Sequence, residues 1–548
     1  MAGVKPGAAL RALVDDAPVV PLIAISGLVL AASAWCLLAP DRVLSRAMTW
    51  DLLFNLAGAW HLHNGHVVHV DFHDPIGQLY FRLTELGFWL RGPTVLAFGI
   101  GKAVMATVLW VAAVVASARR LPLLPALVFV VLAVELVLMP GNVGAMADEY
   151  TFAMSYNAYG WSGLIVLSLI LFLPPRVRTD LVWLDAAIGG ALIVILYYLK
   201  VTYFAVAMAE LAIALLVCSH VRTQWLPWGI VALVTALNAI APYNWAYLGD
   251  ILAAVGSGAV RAHTGDLFIK LLGNVPELAL YATAFVIALG LWRTGRAPQR
   301  LPAAAAALIV LGAAALSQNT QARGIAVGVV ILFLLYDQLR GATAVDRPRG
   351  TAWLLAALLI LPAAEATKAA VSVAGYYLDA TRGSGLLVVE GTNLRGLAVP
   401  SQADLLLDAF SVHKTDYTLL NRARTVGATN ELAEFEYVET LLEAAALFDR
   451  GTPGRSGGIV VLDQVNPLPF MLGRPPPRGG SLWLGPAFPW PPEEAMFAEA
   501  DFVLIPKFST SFGATRKAIG RYKEYLAERF PVRSESRSWI LLSRRVKP

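Results

Sequence analysis

At 548 residues, with 57% hydrophobic and 15% charged side chains and a mean hydropathy of +0.62, the chain is too apolar and too sparsely charged for an ordinary soluble protein. The formal net charge of +5 comes from 43 Lys and Arg against 38 Asp and Glu, and no basic-aromatic nucleic-acid module accompanies it. The two cysteines, Cys36 and Cys218, both fall in apolar runs, which argues against a disulfide between them and against a thiolate nucleophile.

Apolar runs close to the roughly 20 residues that cross about 30 Å of hydrocarbon recur from Pro18 to Ala370. They predict a polytopic α-helical membrane protein with eleven spans, whose cores lie near 18–39, 94–117, 122–139, 160–174, 182–199, 201–219, 226–242, 276–292, 302–317, 324–339 and 351–370. The first run follows Lys5 and Arg11 but exceeds a signal peptide's apolar core, and no small-x-small cleavage site precedes Asp41, so it reads as a retained anchor. Lys and Arg concentrate in alternate loops, at Arg119 and Arg120, Arg176 and Arg178, Arg222, Arg293, Arg296 and Arg300, and Arg340, Arg347 and Arg349. Positive residues mark the cytoplasmic side. The amino terminus is therefore expected inside a bacterial plasma membrane, and the region after Ala370 in the periplasm or outside the cell.

The first outer loop, 40–93, holds most of the titratable groups that point to chemistry. Leu53, Leu56, Ala57 and Trp60 follow i, i+3, i+4, i+7 spacing while Asp51 and Asn55 share another face, so the loop opens on a helix lying in the membrane interface. His73-Asp-Pro-Ile-Gly77 turns the chain, and Leu79 to Leu90 predicts a second surface helix. Asp51, at the start of the first helix, suits a general base at the membrane surface or, more simply, an acid favoured by the helix dipole. His61, His63, His66, His69 and His73 crowd beside Asp71 and Asp74. A divalent metal is possible there, but with neither an HExxH motif nor a cysteine pair no ligand set is assigned. His69, Asp71 and His73 fit better as a hydrogen-bonding group that orients a phosphate or sugar.

Three further outer segments follow. The second, 140–150, carries the adjacent acids Asp148 and Glu149, either of which can face the site, and leads into Ser155-Tyr156-Asn157-Ala-Tyr-Gly160. The third, 243–273, contains Asp250, Arg261, His263, Asp266 and Lys270 and reads as a partly amphipathic crossing over the surface; the fourth ends on Arg323, a candidate anion binder. Lys102 and Glu210 are expected roughly 12 to 14 Å below the outer surface at 1.5 Å per residue, facing a cavity or each other, with Glu135 as an alternative partner for Lys102. After Gly383 the composition becomes that of a soluble α/β domain, with strands at 385–390, 458–463, 481–484, 501–505 and 539–542 and helices at 431–450 and 515–529. Division into a membrane domain, 1–372, and a carboxy-terminal domain, 373–548, follows. No Walker, GxGxxG, GxSxG or SxxK motif appears in a fitting context, so the reaction energy is expected to come from an activated substrate.

Trp50-Asp51, the stretch Asn64-Gly-His-Val-Val-His-Val-Asp-Phe-His-Asp-Pro-Ile-Gly-Gln-Leu-Tyr80, and Ser155 to Gly160 together resemble the GT-C superfamily of membrane glycosyltransferases that use polyprenyl-phosphate sugars. The stretch is similar to the pattern between the first two spans of mannosyltransferase-like and aminoarabinose-transferase-like proteins, with His69 where Tyr is usual and Gln78 where Pro is usual. The likeness in layout covers 1–372, the likeness in motif a much shorter stretch. It implies inverting transfer of a sugar from a polyprenyl-phosphate donor to an extracytoplasmic lipid, glycan or protein, with no obligatory cofactor. Asp51 matches the family's base, with Asp148 and Glu149 as alternatives, while Lys102, Tyr156, Asn157 and Arg323 join His69, Asp71 and His73 as substrate-binding candidates. A transporter or lipid flippase is the competing expectation.

Overall fold

The structure, a computed structural model, describes residues 19–176, 182–257, 264–318, 324–341, 350–401, 432–451, 457–485, 489–507 and 512–544. Arg323, together with Lys5, Arg11, Arg178, Arg261, His263, Arg347 and Arg349, lies outside the described residues. The fold is mostly helical, with small sheets contributed chiefly by the carboxy-terminal part.

Each apolar run identified in the sequence forms a helix. The first helices are α1 (Val19–Leu38), α2 (Thr49–His63), α3 (Leu79–Arg91), α4 (Ala97–Ala118), α5 (Leu123–Leu138), α6 (Ser155–Phe172), α7 (Val182–Leu199) and α8 (Val201–Val217). After the short α9 (Ser219–Arg222) come α10 (Trp225–Ala239), α11 (Trp245–Gly256), α12 (Thr264–Gly273), α13 (Val275–Arg293), α14 (Arg300–Ser317), α15 (Val329–Gly341) and α16 (Gly350–Arg382). Six of these are long and apolar enough to cross a membrane, or seven if α10 and the bent segment Pro242–Gly256 form one span. The bend is 57° and falls at Pro242, whose missing N–H and fixed φ interrupt a helix. α5, α7 and α8 are shorter apolar helices.

Two buried arginines join α4 to α7: Arg119 and Arg120 each pair with Asp185, at 2.6 and 2.8 Å. The three deep charges do not pair with one another. Lys102 donates to the Met139 carbonyl at 2.9 Å and to Ser155 Oγ at 3.3 Å, Glu135 accepts from Ser33 Oγ, and Glu210 from Ser168 Oγ.

The first loop and the carboxy-terminal part are interleaved. β1 (Val43–Leu44) pairs in parallel with β4 (Leu397–Pro400), which pairs with β3 (Leu386–Val388), and β2 (Phe72–His73) pairs in parallel with β6 (Gly480–Ser481). β5 (Gly458–Val461), β7 (Ala500–Pro506), β9 (Trp539–Ser543) and β8 (Val532–Glu535) form a four-stranded sheet in the order β5-β7-β9-β8. Helices α17 (Glu434–Gly451) and α20 (Phe512–Arg529) stand where the sequence places helices, with the short α18 (Leu468–Met471) and α19 (Glu493–Met496) between them. Position 372, the expected division, falls inside the 33-residue α16.

α2 departs from the amphipathic expectation. All residues from Asp51 to Leu62 are buried, because the carboxy-terminal part covers the face that the sequence pattern left to solvent. Trp60 donates its indole N–H to the Arg474 carbonyl at 2.7 Å and packs edge-on to Phe470. By contrast α3 keeps Leu86, Trp89 and Leu90 exposed, as a helix in a membrane interface would.

α3 and α4 meet at a glycine: a Cβ built on Gly87 would sit 2.2 Å from the Ala97 carbonyl oxygen. Gly87→Val should therefore separate the pair and cost about 1–3 kcal/mol. Gly290→Ala, at a helical position with open space, should be neutral or mildly stabilising. Thermal unfolding of the purified protein in detergent checks both.

Candidate functional site

Asp51 occupies the first turn of α2 with 5% of its surface exposed. Its Oδ2 accepts the Met154 N–H at 3.1 Å, so the acid of the first loop is held by the start of α6. Burial raises the Asp51 carboxyl to about 7, and the Met154 hydrogen bond only partly offsets this. A carboxyl poised near neutrality exchanges a proton readily at ordinary pH.

The backbone around it is unusual. Among the described residues the non-glycine positions with left-handed φ are Met48 (54°), His69 (69°), Phe152 (51°) and Met154 (51°), and all four lie in the two loops that flank Asp51. Such conformations cost about 1–3 kcal/mol each and persist where the surroundings over-determine them. Met48 supplies no side-chain cap to α2; instead Glu434 of α17 accepts the Met48 and Thr49 N–H groups at 2.8 and 3.0 Å. A carboxylate is favoured at a helix N-terminus.

Asp74 follows two turns of chain that Asp250 of α11 organises. Asp250 lies 2.9 Å from His69 Nδ1 and 2.9 Å from His73 Nδ1, and accepts the Asp74 N–H at 3.1 Å. His69 also stacks on Tyr247, with centroids 4.5 Å apart. The hydrogen bond that His73 donates to Asp250 raises the imidazole above 6.5. Asp74 is fully enclosed, accepts the Ile76 N–H at 2.7 Å, and is pushed well above the usual carboxylate range by burial and by the nearby Asp250 and Asp51. Two neighbouring carboxyls are thus moved in opposite directions, Asp74 up by burial and Asp250 down by its two histidine partners.

The cationic side of the site is Lys200, in the turn between α7 and α8. The Gly77 N–H donates to Leu199 O at 3.0 Å, and a Cβ on Gly77 would lie 2.1 Å from Tyr198 O, so only glycine lets the first loop reach this turn. Burial and the neighbouring Lys270 push the Lys200 ammonium down to about 8, against the opposing pull of Asp74. Its Nζ lies 5.2 Å from the Tyr156 ring centroid, and Tyr156 meets Tyr80 edge-on at 5.2 Å. Asp51, Asp74, Tyr80, Tyr156 and Lys200 therefore form one electrostatic cluster.

The remaining sequence candidates have other surroundings. Asp71 accepts the Val67 N–H and lies 3.5 Å from Arg478, facing the carboxy-terminal part. Asp148 is exposed, and its carbonyl accepts from Arg46 at 3.2 Å. Glu149 is buried and accepts the Met146 N–H within its own loop. Asn157 accepts from Tyr203 OH at 3.1 Å on α8. Lys102 binds both ends of the second loop, at Met139 and Ser155, and so fixes the loop that presents Met154 to Asp51. Arg323 is not among the described residues; Gly324 beside it donates to Asn274 Oδ1 at 2.7 Å.

Sequence reasoning passed over Asp250, Lys200 and Glu434 as site-builders. The crowding of His69 and His73 signalled a carboxylate partner, and Lys200 stands alone between two apolar runs. Among the described residues no group of three or more His, Cys, Asp or Glu is arranged to hold a metal ion. Compared with known protein families, curated proteins and solved structures, the chain matches none.

Two measurements follow from this geometry. With a value of 3.8 unfolded and about 7 folded, Asp51 keeps a proton in the folded state that the unfolded chain releases, so stability falls as pH rises between about 4 and 7 and then levels. Asp51→Asn removes that loss and should raise the melting midpoint at pH 8, by an energy on the order of 1.4 kcal/mol for each tenfold change in the carboxyl's proton affinity on folding; an unchanged or lowered midpoint contradicts the assignment. The His73–Asp250 pair changes stability in the same direction over a higher range: its contribution is complete below pH 6.5 and is lost as pH rises through the raised His73 value. Asp250→Asn should lower the His73 value, read by NMR titration of the imidazole.

Proposed function

We propose that the chain is a membrane glycosyltransferase, moving a sugar with inversion from a polyprenyl-phosphate donor to an extracytoplasmic acceptor. In this reading its eleven apolar helices cross a bacterial plasma membrane with the amino terminus in the cytoplasm and the carboxy-terminal part in the periplasm. The observation that carries the proposal is the Asp51 carboxyl, buried, held by the Met154 N–H and raised to about 7, beside the Lys200 ammonium and the Asp74 carboxyl.

The chemistry runs through these groups. Ionised Asp51 takes the proton from the acceptor hydroxyl or amine as its oxygen or nitrogen bonds to the anomeric carbon. The bond from that carbon to the phosphate oxygen breaks, and the phosphate leaves on its lipid. Lys200, with Lys270 nearby, balances the negative charge that develops on the departing phosphate. Asp74, protonated, offers a hydrogen-bond donor to a sugar hydroxyl. Tyr80 and Tyr156 supply apolar faces against which a pyranose ring packs.

Asp51→Asn should reduce transfer about 10²–10⁴-fold while leaving insertion and expression intact, measured with labelled polyprenyl-phosphate sugars and membrane extracts. Wild-type turnover should rise with pH through about 7, as the Asp51 carboxylate forms. Full transfer by the variant rules out its role as base.

A proton-coupled transporter is the second reading, favoured by Glu135 and Glu210, each with one buried oxygen that accepts no hydrogen bond among the described residues. Substrate flux into proteoliposomes, lost in Glu210→Gln and kept in Asp51→Asn, would select it instead.

A further inference from the structure

A cavity separate from the Asp51 cluster lies between α5, α13, α15 and α16. It holds about 160 Å³, well above the roughly 10–15 Å³ that one water requires and similar to dry cavities of about 150 Å³ that take up benzene-sized molecules. Its lining is graded. At one end stand Asn274, Glu277, Glu365 and Lys368; Tyr281 lies one turn along α13 from Glu277, and Leu361 one turn along α16 from Glu365. The two helices change from charged to apolar in the same direction, and Leu136, Leu132 and Ile165 continue the apolar wall.

The charges at the mouth are specific. Lys368 pairs with Glu365 at 2.9 Å, both partly exposed, and Glu277 faces the two of them while one of its oxygens accepts the Ile325 N–H at 2.9 Å. Two carboxylates and one ammonium at the head of an apolar slot complement a headgroup that carries an ammonium and a phosphate together. A purely anionic head would meet two acids and one base. α13 and α16 are both long and apolar enough to span a membrane, so the slot opens where lipid headgroups and acyl chains meet.

We propose that this cavity is a phospholipid site, taking part of one acyl chain against Leu136 and Leu361, with an ethanolamine ammonium on Glu277 and Glu365 and the phosphate on Lys368. The site stands independently of the transferase reading, since none of its lining side chains belongs to the Asp51 cluster.

The full-length protein, delipidated and reloaded with either dioleoyl phosphatidylethanolamine or dioleoyl phosphatidylglycerol, tests it by native mass spectrometry. Wild type should retain phosphatidylethanolamine about tenfold better. Leu361→Trp should fill the slot and abolish retention of both lipids above the nonspecific background. Glu277→Gln with Glu365→Gln, which leaves the cavity open, should erase the preference without abolishing retention. Equal retention of the two lipids by wild type, or unchanged retention by Leu361→Trp, overturns the proposal. So does displacement of bound phosphatidylethanolamine by an equimolar polyprenyl phosphate, which assigns the slot to a lipid carrier instead.

Discussion

The site depends on one carboxylate, that of Asp250. It draws His69, His73 and the Asp74 backbone onto α11, and thereby converts a Gly- and His-rich loop into a defined turn. Without that convergence the His69 and His73 rings and the Asp74 N–H would lose the carboxylate they share, and buried polar groups without partners are costly. Asp74 would also lose the tie that sets it near Asp51 and Lys200.

A second line of support reaches Asp51 from the membrane interior. Lys102, fully buried, is satisfied by the Met139 carbonyl, Ser155 Oγ and the aromatic faces of Phe98, Phe152 and Tyr159. These contacts clamp both ends of the loop whose Met154 N–H holds Asp51. From the other side Glu434 caps α2, so the position of Asp51 is set by segments from the first loop, the second loop and the carboxy-terminal part together. Such over-determination keeps Met48 and Met154, two of the described non-glycine residues with left-handed φ, in place beside it.

The apolar runs were legible because burial in lipid or in a helical bundle imposes length and composition directly, and helices stand at each of them. Asp51 was legible as an acid at the start of a helix. The enclosing of α2 was not, because an alternation of polar and apolar faces reports a boundary without saying whether solvent or another segment lies beyond it. Strand partners as short as Val43–Leu44 and Phe72–His73 carry no periodicity to read. Asp250 and Glu434 act across 181 and 386 residues of sequence from His69 and Met48, where local spacing has no bearing. Helix length and composition alone give six or seven crossings among the described residues, since α5, α7, α8 and α15 are shorter than a full span.

The parallel pairing of Val43 with Leu397 and of Phe72 with Gly480 has a consequence for biogenesis. The first loop emerges early from the ribosome, but the backbone it pairs with is made hundreds of residues later, a wait on the order of tens of seconds at roughly 5–20 residues per second. During that interval the nascent loop holds two unpaired strand edges, and Asp51 begins a helix whose cap does not yet exist. Translation must pass Gly480 before the early segment can settle, so a ribosome stalled short of that point would leave an inserted bundle with its first loop unfinished.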